Sequence, residues 1–419
     1  MPTSGLKPCK QALDHWPTVP ISIWCDRSRL SPKHEDEVAA ALEHPDRIYE
    51  IRLKIAKSTL AKLPAWVEAS FPALEILHLN SLNYNPMILP DAFLALSHSA
   101  IPRQLLQIKL TNIYFPNLPQ LLLSSRNIVS LSFRFDRAVI TSFLSPEVIA
   151  TALSTASQLK KLSLSFHDEV EGEQLTVPLP SKSPVLLSSL NKFCFNGSGD
   201  YLEVFFSRIH TPFLEQLDVI LWWPHVADFP QLSQFVHQTE QLSALPHLTS
   251  IILGEGDFQI RHCFRHRPSR KRTVSLQVYV RLDRPVSQVH HVCQQLSPFM
   301  SSVEQLSIAA DCSPVRFSGE SKPASWLRMF EPFHRVQDLK LCTSEEEGTK
   351  ISDALELSTR KGVQEVFPAL HSLWLDNFEM WAWDTIDSFI SLRKLTGRQV
   401  IMYLGMSLPC FKGFYPELM

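Results

Sequence analysis

Phe71-Pro-Ala-Leu74-Glu-Ile-Leu77-His-Leu79-Asn80 is the stretch on which the fold turns. Leu77 and Leu79 alternate with His78 and Asn80, and a period of two marks a strand with one buried face. Leu74 completes a Leu-x-x-Leu-x-Leu motif, repeated at Leu159-x-x-Leu162-x-Leu164 and Leu370-x-x-Leu373-x-Leu375. Looser copies start at Ile48, Leu105, Ile128, Leu190, Leu214, Leu248, Val303 and Val336. Most copies lie roughly 23 to 34 residues apart, in or just beyond the leucine-rich-repeat period.

Working outward, each motif predicts a short strand, and the intervals predict amphipathic helices. These are expected over 147–159, 201–209, 232–242, 286–296, 324–333 and 381–395, the first with Val148, Ala152, Leu153 and Ala156 on its apolar side and Ser145 as its cap before Pro146. Prolines such as Pro72, Pro212 and Pro368 precede the motifs, where a helix must stop. The fold class that follows is α/β: an irregular leucine-rich-repeat solenoid, with a parallel sheet on the concave face of an arc and helices on the convex face. No asparagine stands at the consensus position after each motif, so no side-chain ladder is expected.

The expected domains are an N-terminal cap over 1–45, the solenoid over 46–400, and a C-terminal cap or tail over 401–419. Within the cap, Ile21-Ser-Ile-Trp24 reads as an edge strand and 35–42 as a short helix. The double-length gap between Leu248 and Val303 holds two alternating runs, Phe258 to Phe264 and Thr273 to Leu282. They read as a hairpin near 258–282, favoured as an interruption of the repeats over an added divergent strand.

Composition excludes several function classes. A hydrophobic fraction of 45%, a charged fraction of 20% and a net charge of −2 describe a folded chain without global attraction to nucleic acid or membrane. No run reaches the ~18 apolar residues of a membrane span. The first residues lack an apolar secretory core, and the eight cysteines form no Cys-x-x-Cys pair. Reduced thiols in an intracellular setting, cytoplasmic or nuclear, are the expectation.

No nucleotide-binding glycine loop, nucleophile elbow or His-Glu-x-x-His is present, so neither an enzyme nor a cofactor is expected. Cys263-x-x-His266 and His290-x-x-Cys293 have ligand-like spacing, but their order matches no common zinc motif and no metal is assigned. The basic tip, Arg261, Arg265, Arg267, Arg270, Lys271 and Arg272, reads as a solvated turn, a localisation signal or a phosphate or nucleic-acid patch. Interleaved aromatics are scarce there, which makes nucleic acid the weaker reading. Glu345-Glu-Glu347 reads as a solvated loop. Trp222-Trp223 and Trp381-Ala-Trp383 read as edge covers or partner anchors.

The positions between the motif leucines are the candidate site, because alternation turns them to the opposite face. In the first six repeats they include Arg52, Lys54, Lys109, Arg134, Lys161 and Lys192 against Glu50. Later repeats contribute Asp218, Asp338, Lys340, Trp374 and Asp376. The pattern reads either as an ordinary polar strand face or as a surface for an acidic or phosphorylated protein partner.

Pro20-Ile-Ser-Ile-Trp24, Phe71 to Leu79, Phe115-Pro-Asn-Leu-Pro-Gln-Leu121, Leu144-Ser-Pro-Glu147 leading to Leu159-Lys-Lys-Leu-Ser-Leu-Ser-Phe166, Leu296-Ser-Pro-Phe299 and Ser388 to Val400 stand in this order. In that order they resemble fungal F-box-type leucine-rich-repeat proteins over roughly residues 15–400. The resemblance implies a repeat region that selects substrates for a cullin-RING ubiquitin ligase. The F-box that would dock the ligase adaptor has no counterpart before the first repeat, so adaptor binding is not expected of these residues. A box-less paralogue, a truncated product and a protein outside ligases remain open.

Overall fold

The structure is a computed structural model that describes residues 13, 15, 18–26, 32–55, 71–82, 87–88, 104–114, 118–135, 144–166, 183–222, 229–239, 248–253, 257–263, 273–279, 285–310, 322–342, 345–358, 365–376 and 383–405. The chain divides into two compact units, Met1–Leu214 and Glu215–Met419. The division falls inside the run of motifs that the sequence reads as continuous.

In the first unit the alternating segments become β1 (Ile21–Asp26), β2 (Ile48–Ile55), β3 (Ile76–Ser81), β4 (Gln107–Thr111), β5 (Ser130–Phe135), β6 (Lys161–Phe166) and β7 (Lys192–Gly197). Each pairs in parallel with the next. The helices are α1 (Pro32–Leu42), α2 (Leu118–Ser124), α3 (Pro146–Ala152) and α4 (Gly199–Phe206). β1 is an edge strand, as Ile21-Ser-Ile-Trp24 reads, and it belongs to the same sheet as the repeats.

The motif residues fall in register across these strands. Ile51, Leu77, Ile108, Leu131, Leu162 and Phe193 make one buried row. Leu53, Leu79, Leu110, Phe133, Leu164 and Phe195 make the next. Burying each such side chain contributes about 2 kcal/mol. Buried helix residues, among them Leu121, Leu122, Ile149 and Leu202, complete the core.

A second bonding system links the repeats just ahead of the strands. Glu75 O accepts from Leu106 N and Gln107 N at 2.8 and 3.0 Å, and Leu106 O accepts from Val129 N and Ser130 N at the same two distances. Val129 O accepts from Lys160 N and Lys161 N at 2.8 and 3.1 Å; Lys160 O then accepts from Asn191 N and Lys192 N, both at 3.0 Å. This main-chain ladder ties each strand to the next without calling on a side chain. The prolines have a matching role: Leu74 N, Leu214 N and Leu370 N each donate to the carbonyl three residues back, which makes Pro72, Pro212 and Pro368 the second residue of a turn.

At the end of the first unit aromatic residues thicken the core. Phe135 stacks on Phe166 at 6.1 Å, and Phe166 meets Tyr201 at 4.7 Å. The buried Tyr201 hydroxyl donates to Leu144 O at 2.8 Å. Gly197 has no room for a side chain, since an added Cβ would lie 2.9 Å from the Phe195 ring. Ser145 caps α3 by accepting from Val148 N at 3.3 Å. Of the expected apolar side Ala152, Leu153 and Ala156 are buried, joined by Ile149 and Ala150; Val148 is the exception and faces solvent.

The second unit comprises β8 (Gln216–Trp222), β9 (Leu248–Leu253), β10 (Asp257–Cys263), β11 (Thr273–Tyr279), β12 (Gln305–Ala310), β13 (Asp338–Cys342), β14 (Ser372–Asp376) and β15 (Ile401–Gly405). Their order is β8-β11-β10-β9-β12-β13-β14-β15. The helices are α5 (Pro230–Gln238), α6 (Pro285–Gln295), α7 (Ser297–Met300), α8 (Pro323–Phe330), α9 (Glu345–Ser358) and α10 (Trp383–Leu395).

The hairpin of β10 and β11 does not stand off this sheet. β10 pairs antiparallel with both β9 and β11, while β11 pairs in parallel with β8. The segment is thus an inserted meander and an added parallel strand at once, because Val274, Leu276 and Val278 bury one face as a motif would. Two further expectations change. β9 aligns Thr249 and Ile251 with Leu306 and Ile308, so the repeat there starts two residues before Leu248. Helix α9 begins at Glu345, so the acidic triplet occupies a helix N-terminus, where negative charge is favoured, and not a loop.

Ile401–Gly405, expected as part of a cap or tail, is the last strand of the sheet. The turn into it depends on Gly397 at φ +77°, where Arg398 N donates to Arg393 O at 2.9 Å past the end of α10. Arg393 is buried, with Nη1 donating to Glu365 Oε1 at 3.0 Å and Nη2 to Pro368 O at 3.3 Å. Arg398 pairs with the same carboxylate.

Leu164→Ala should lower unfolding stability by about 3 kcal/mol, whereas Val148→Ala should cost about 0.5 kcal/mol or less. Urea titration of the two variants checks the contrast.

Candidate functional site

The alternation that buries the leucines puts the intervening residues on the other face of each sheet. In the first unit the central row of that face runs Trp24, Arg52, His78, Lys109, Ser132, Ser163, Cys194. One flanking row runs Ser22, Glu50, Ile76, Gln107, Ser130, Lys161, Lys192, and the other carries Lys54, Asn80, Thr111, Arg134. The six basic residues expected there, Arg52, Lys54, Lys109, Arg134, Lys161 and Lys192, therefore share one face. Lys161 and Lys192 are cross-strand neighbours, about 4.8 Å apart at the backbone.

Glu50 is the acid among them. Its Oε2 accepts from the Ser22 hydroxyl at 2.5 Å and its Oε1 from Arg52 Nε at 2.5 Å. The Ser22 hydrogen bond, more than it is opposed by burial, holds the carboxyl below its usual range, and Arg52 adds to the effect. His78 is half-buried between Arg52 and Lys109. Burial lowers its pKa first, and the two cations lower it further against a smaller opposing pull from Glu50.

Two residues of this face escaped the sequence reading. Trp24, 78% exposed, lies directly across from Arg52. Its signal was present in the Ile21-Ser-Ile-Trp24 alternation, which was assigned to the cap. His78 lies inside the clearest motif but does not stand out when only full charges are counted.

In the second unit the corresponding face places Asp218, Ser275, Arg261, Ser250, Ser307, Lys340, Trp374 and Tyr403 in one backbone row. Trp374 stacks on Tyr403 at 4.0 Å with planes 11° apart. Asp338 accepts from Gln305 Nε2 at 3.0 Å. Asp376 takes a register position two residues along from Trp374. Here the charged candidates are mixed in sign.

Of the basic tip, Arg261 occupies a strand position; Arg265, Arg267, Arg270, Lys271 and Arg272 lie outside the described residues, as do Trp223, Trp381 and His266. Cys293 is a packing residue: complete burial pushes its thiol up to about 12. Among the described residues no group of three or more His, Cys, Asp or Glu side chains is placed to hold a metal ion. No helix of the described residues is long and apolar enough to cross a membrane. No protein-family model matches the chain, and no curated protein matches it.

Because the Glu50 pKa is depressed in the fold, its contribution to stability is present above the unfolded value of about 4.3 and is lost as pH falls through the folded value. Glu50→Gln should therefore flatten the stability profile between about pH 5 and 3. Denaturation midpoints across that range for both proteins check this.

Proposed function

We propose that the chain is a leucine-rich-repeat solenoid that acts as a non-catalytic protein-binding module. The observation that carries the reading is the sharing of one sheet face by Arg52, Lys54, Lys109, Arg134, Lys161 and Lys192, with Glu50 as the acid among them. A rigid sheet of parallel strands holds these side chains at fixed spacing, which favours recognition over chemistry that needs converging groups. The partner that fits is a protein with an acidic or phosphorylated segment. The resemblance to F-box-type receptors supports a role in substrate selection, and the mixed sheet face of the second unit gives no comparable preference.

Affinity capture from a cell extract, followed by mass spectrometry, tests the reading. Combined Lys109→Glu, Arg134→Glu and Lys161→Glu substitution should reduce recovery of the dominant partner at least tenfold, and recovery by the wild type should fall between 50 and 300 mM salt, on the order expected from charge screening. Equal recovery by the two proteins overturns the basic-face reading. Ligase adaptor subunits in the eluate would add ubiquitin-ligase recruitment to it.

A further inference from the structure

Resting on the basic-face reading and narrowing it, we infer that Arg52, His78 and Lys109 form one row that seats the carboxylates of an acidic peptide segment, with His78 taking up a proton as the row fills.

The three residues stand on adjacent strands in direct register, Arg52 opposite His78 and His78 opposite Lys109. Strand spacing sets them about 4.8 Å apart, so the row spans about 10 Å at the backbone. An extended peptide presents alternate side chains about 6.6 Å apart on one side, and two of its carboxylates fit within that span. Arg52 and Lys109 are exposed and His78 half-exposed, so the row opens to solvent. At its end Trp24 offers an exposed ring for an apolar neighbour of the acids.

The surroundings favour a peptide over nucleic acid. The adjoining row offers Glu50, Ile76 and Gln107, an acid, an alkyl group and an amide, in place of further cations. A continuous polyphosphate would meet Glu50, and it would find one exposed tryptophan where single strands are bound by successive aromatics. Discrete carboxylates with uncharged residues between them suit this mixture.

Proton uptake follows from the charges that face His78. These are Glu50 and Arg52 on β2 and Lys109 on β4; the neighbours on its own strand, Ile76 and Asn80, are uncharged. In the free protein burial, then the two cations, hold the imidazole's pKa below its ordinary value. A carboxylate seated between the cations reverses their effect on it, so the pKa is higher in the complex than in the free protein. The complex then binds more protons, and affinity rises as pH falls through the interval between the two values. Each unit of difference gives about a tenfold change in affinity.

The test uses the full chain and a peptide of five glutamates alternating with five serines, carrying a pH-insensitive dye, followed by fluorescence anisotropy at constant ionic strength from pH 7.5 to 5.5. Spacing the acids limits their mutual repulsion, so the peptide stays largely ionised over this interval, because an isolated glutamate titrates near about 4.3. Wild-type affinity should rise severalfold on acidification. His78→Gln should flatten the profile, and His78→Lys should bind without pH dependence at the level of the acidic wild type. His210→Gln, at an exposed histidine elsewhere in the unit, should keep the wild-type slope. Thermal melts confirm that each variant is folded.

A wild-type profile without slope, or a slope retained in His78→Gln, overturns the row. If such a profile still collapses in the Lys109, Arg134 and Lys161 reversal, the basic-face reading survives alone. Binding that persists in the reversal overturns both. Failure of the wild type to bind at any pH, or tighter binding of a ten-residue oligothymidylate, overturns the acidic-peptide assignment.

Discussion

Parallel strands from successive repeats must be held in one register, and in this chain the main chain does the holding. A single carbonyl at four successive steps, Glu75 O, Leu106 O, Val129 O and Lys160 O, receives two N–H groups from the following segment. In the second unit Glu304 O and Gln337 O do the same, accepting at 2.7 to 3.1 Å. Each bond contributes about 1 kcal/mol net. Because the donors and acceptors are backbone atoms, the sequence at these positions is free to vary.

Register has a direct consequence for charge. Once Leu77 and Leu79 are locked opposite Ile51 and Leu53, His78 has to stand opposite Arg52, and a slip of one residue would bury every charged position of the face. The same constraint aligns Lys161 with Lys192 and brings Trp24 beside Arg52. The electrostatic character of the first unit's face is thus a by-product of core packing. In the second unit the same packing aligns Ser307, Lys340, Trp374 and Tyr403, a row whose dominant feature is an aromatic stack.

Much of this was legible from spacing alone. The motif pattern located most of the parallel strands, and alternation put the candidate basic residues on their shared face. Helix positions followed from apolar spacing and from Ser145-Pro146, though Val148 turned out to face solvent because the helix is only two turns long and its phase is poorly determined by so few residues. Other features had no local signal. Thr249 takes a leucine position because its neighbours across the sheet fix its place, and no single-strand pattern distinguishes that from a motif starting two residues later. The meander of β9, β10 and β11 lies in the sheet through long-range pairing, which alternation permits without specifying. His78 was visible but uncharged in a count of ions; its importance comes from what stands on either side of it.

Amide hydrogen exchange at Leu106, Val129, Lys160 and Asn191 tests the main-chain ladder most directly. Lys160 is the most telling, since its side chain is exposed while its N–H donates to Val129 O at 2.8 Å. The account expects these four amides to exchange as slowly as those of Leu131 and Leu162 within the strands. Exchange at the rate of exposed turn amides, with Leu131 and Leu162 still protected, would contradict it.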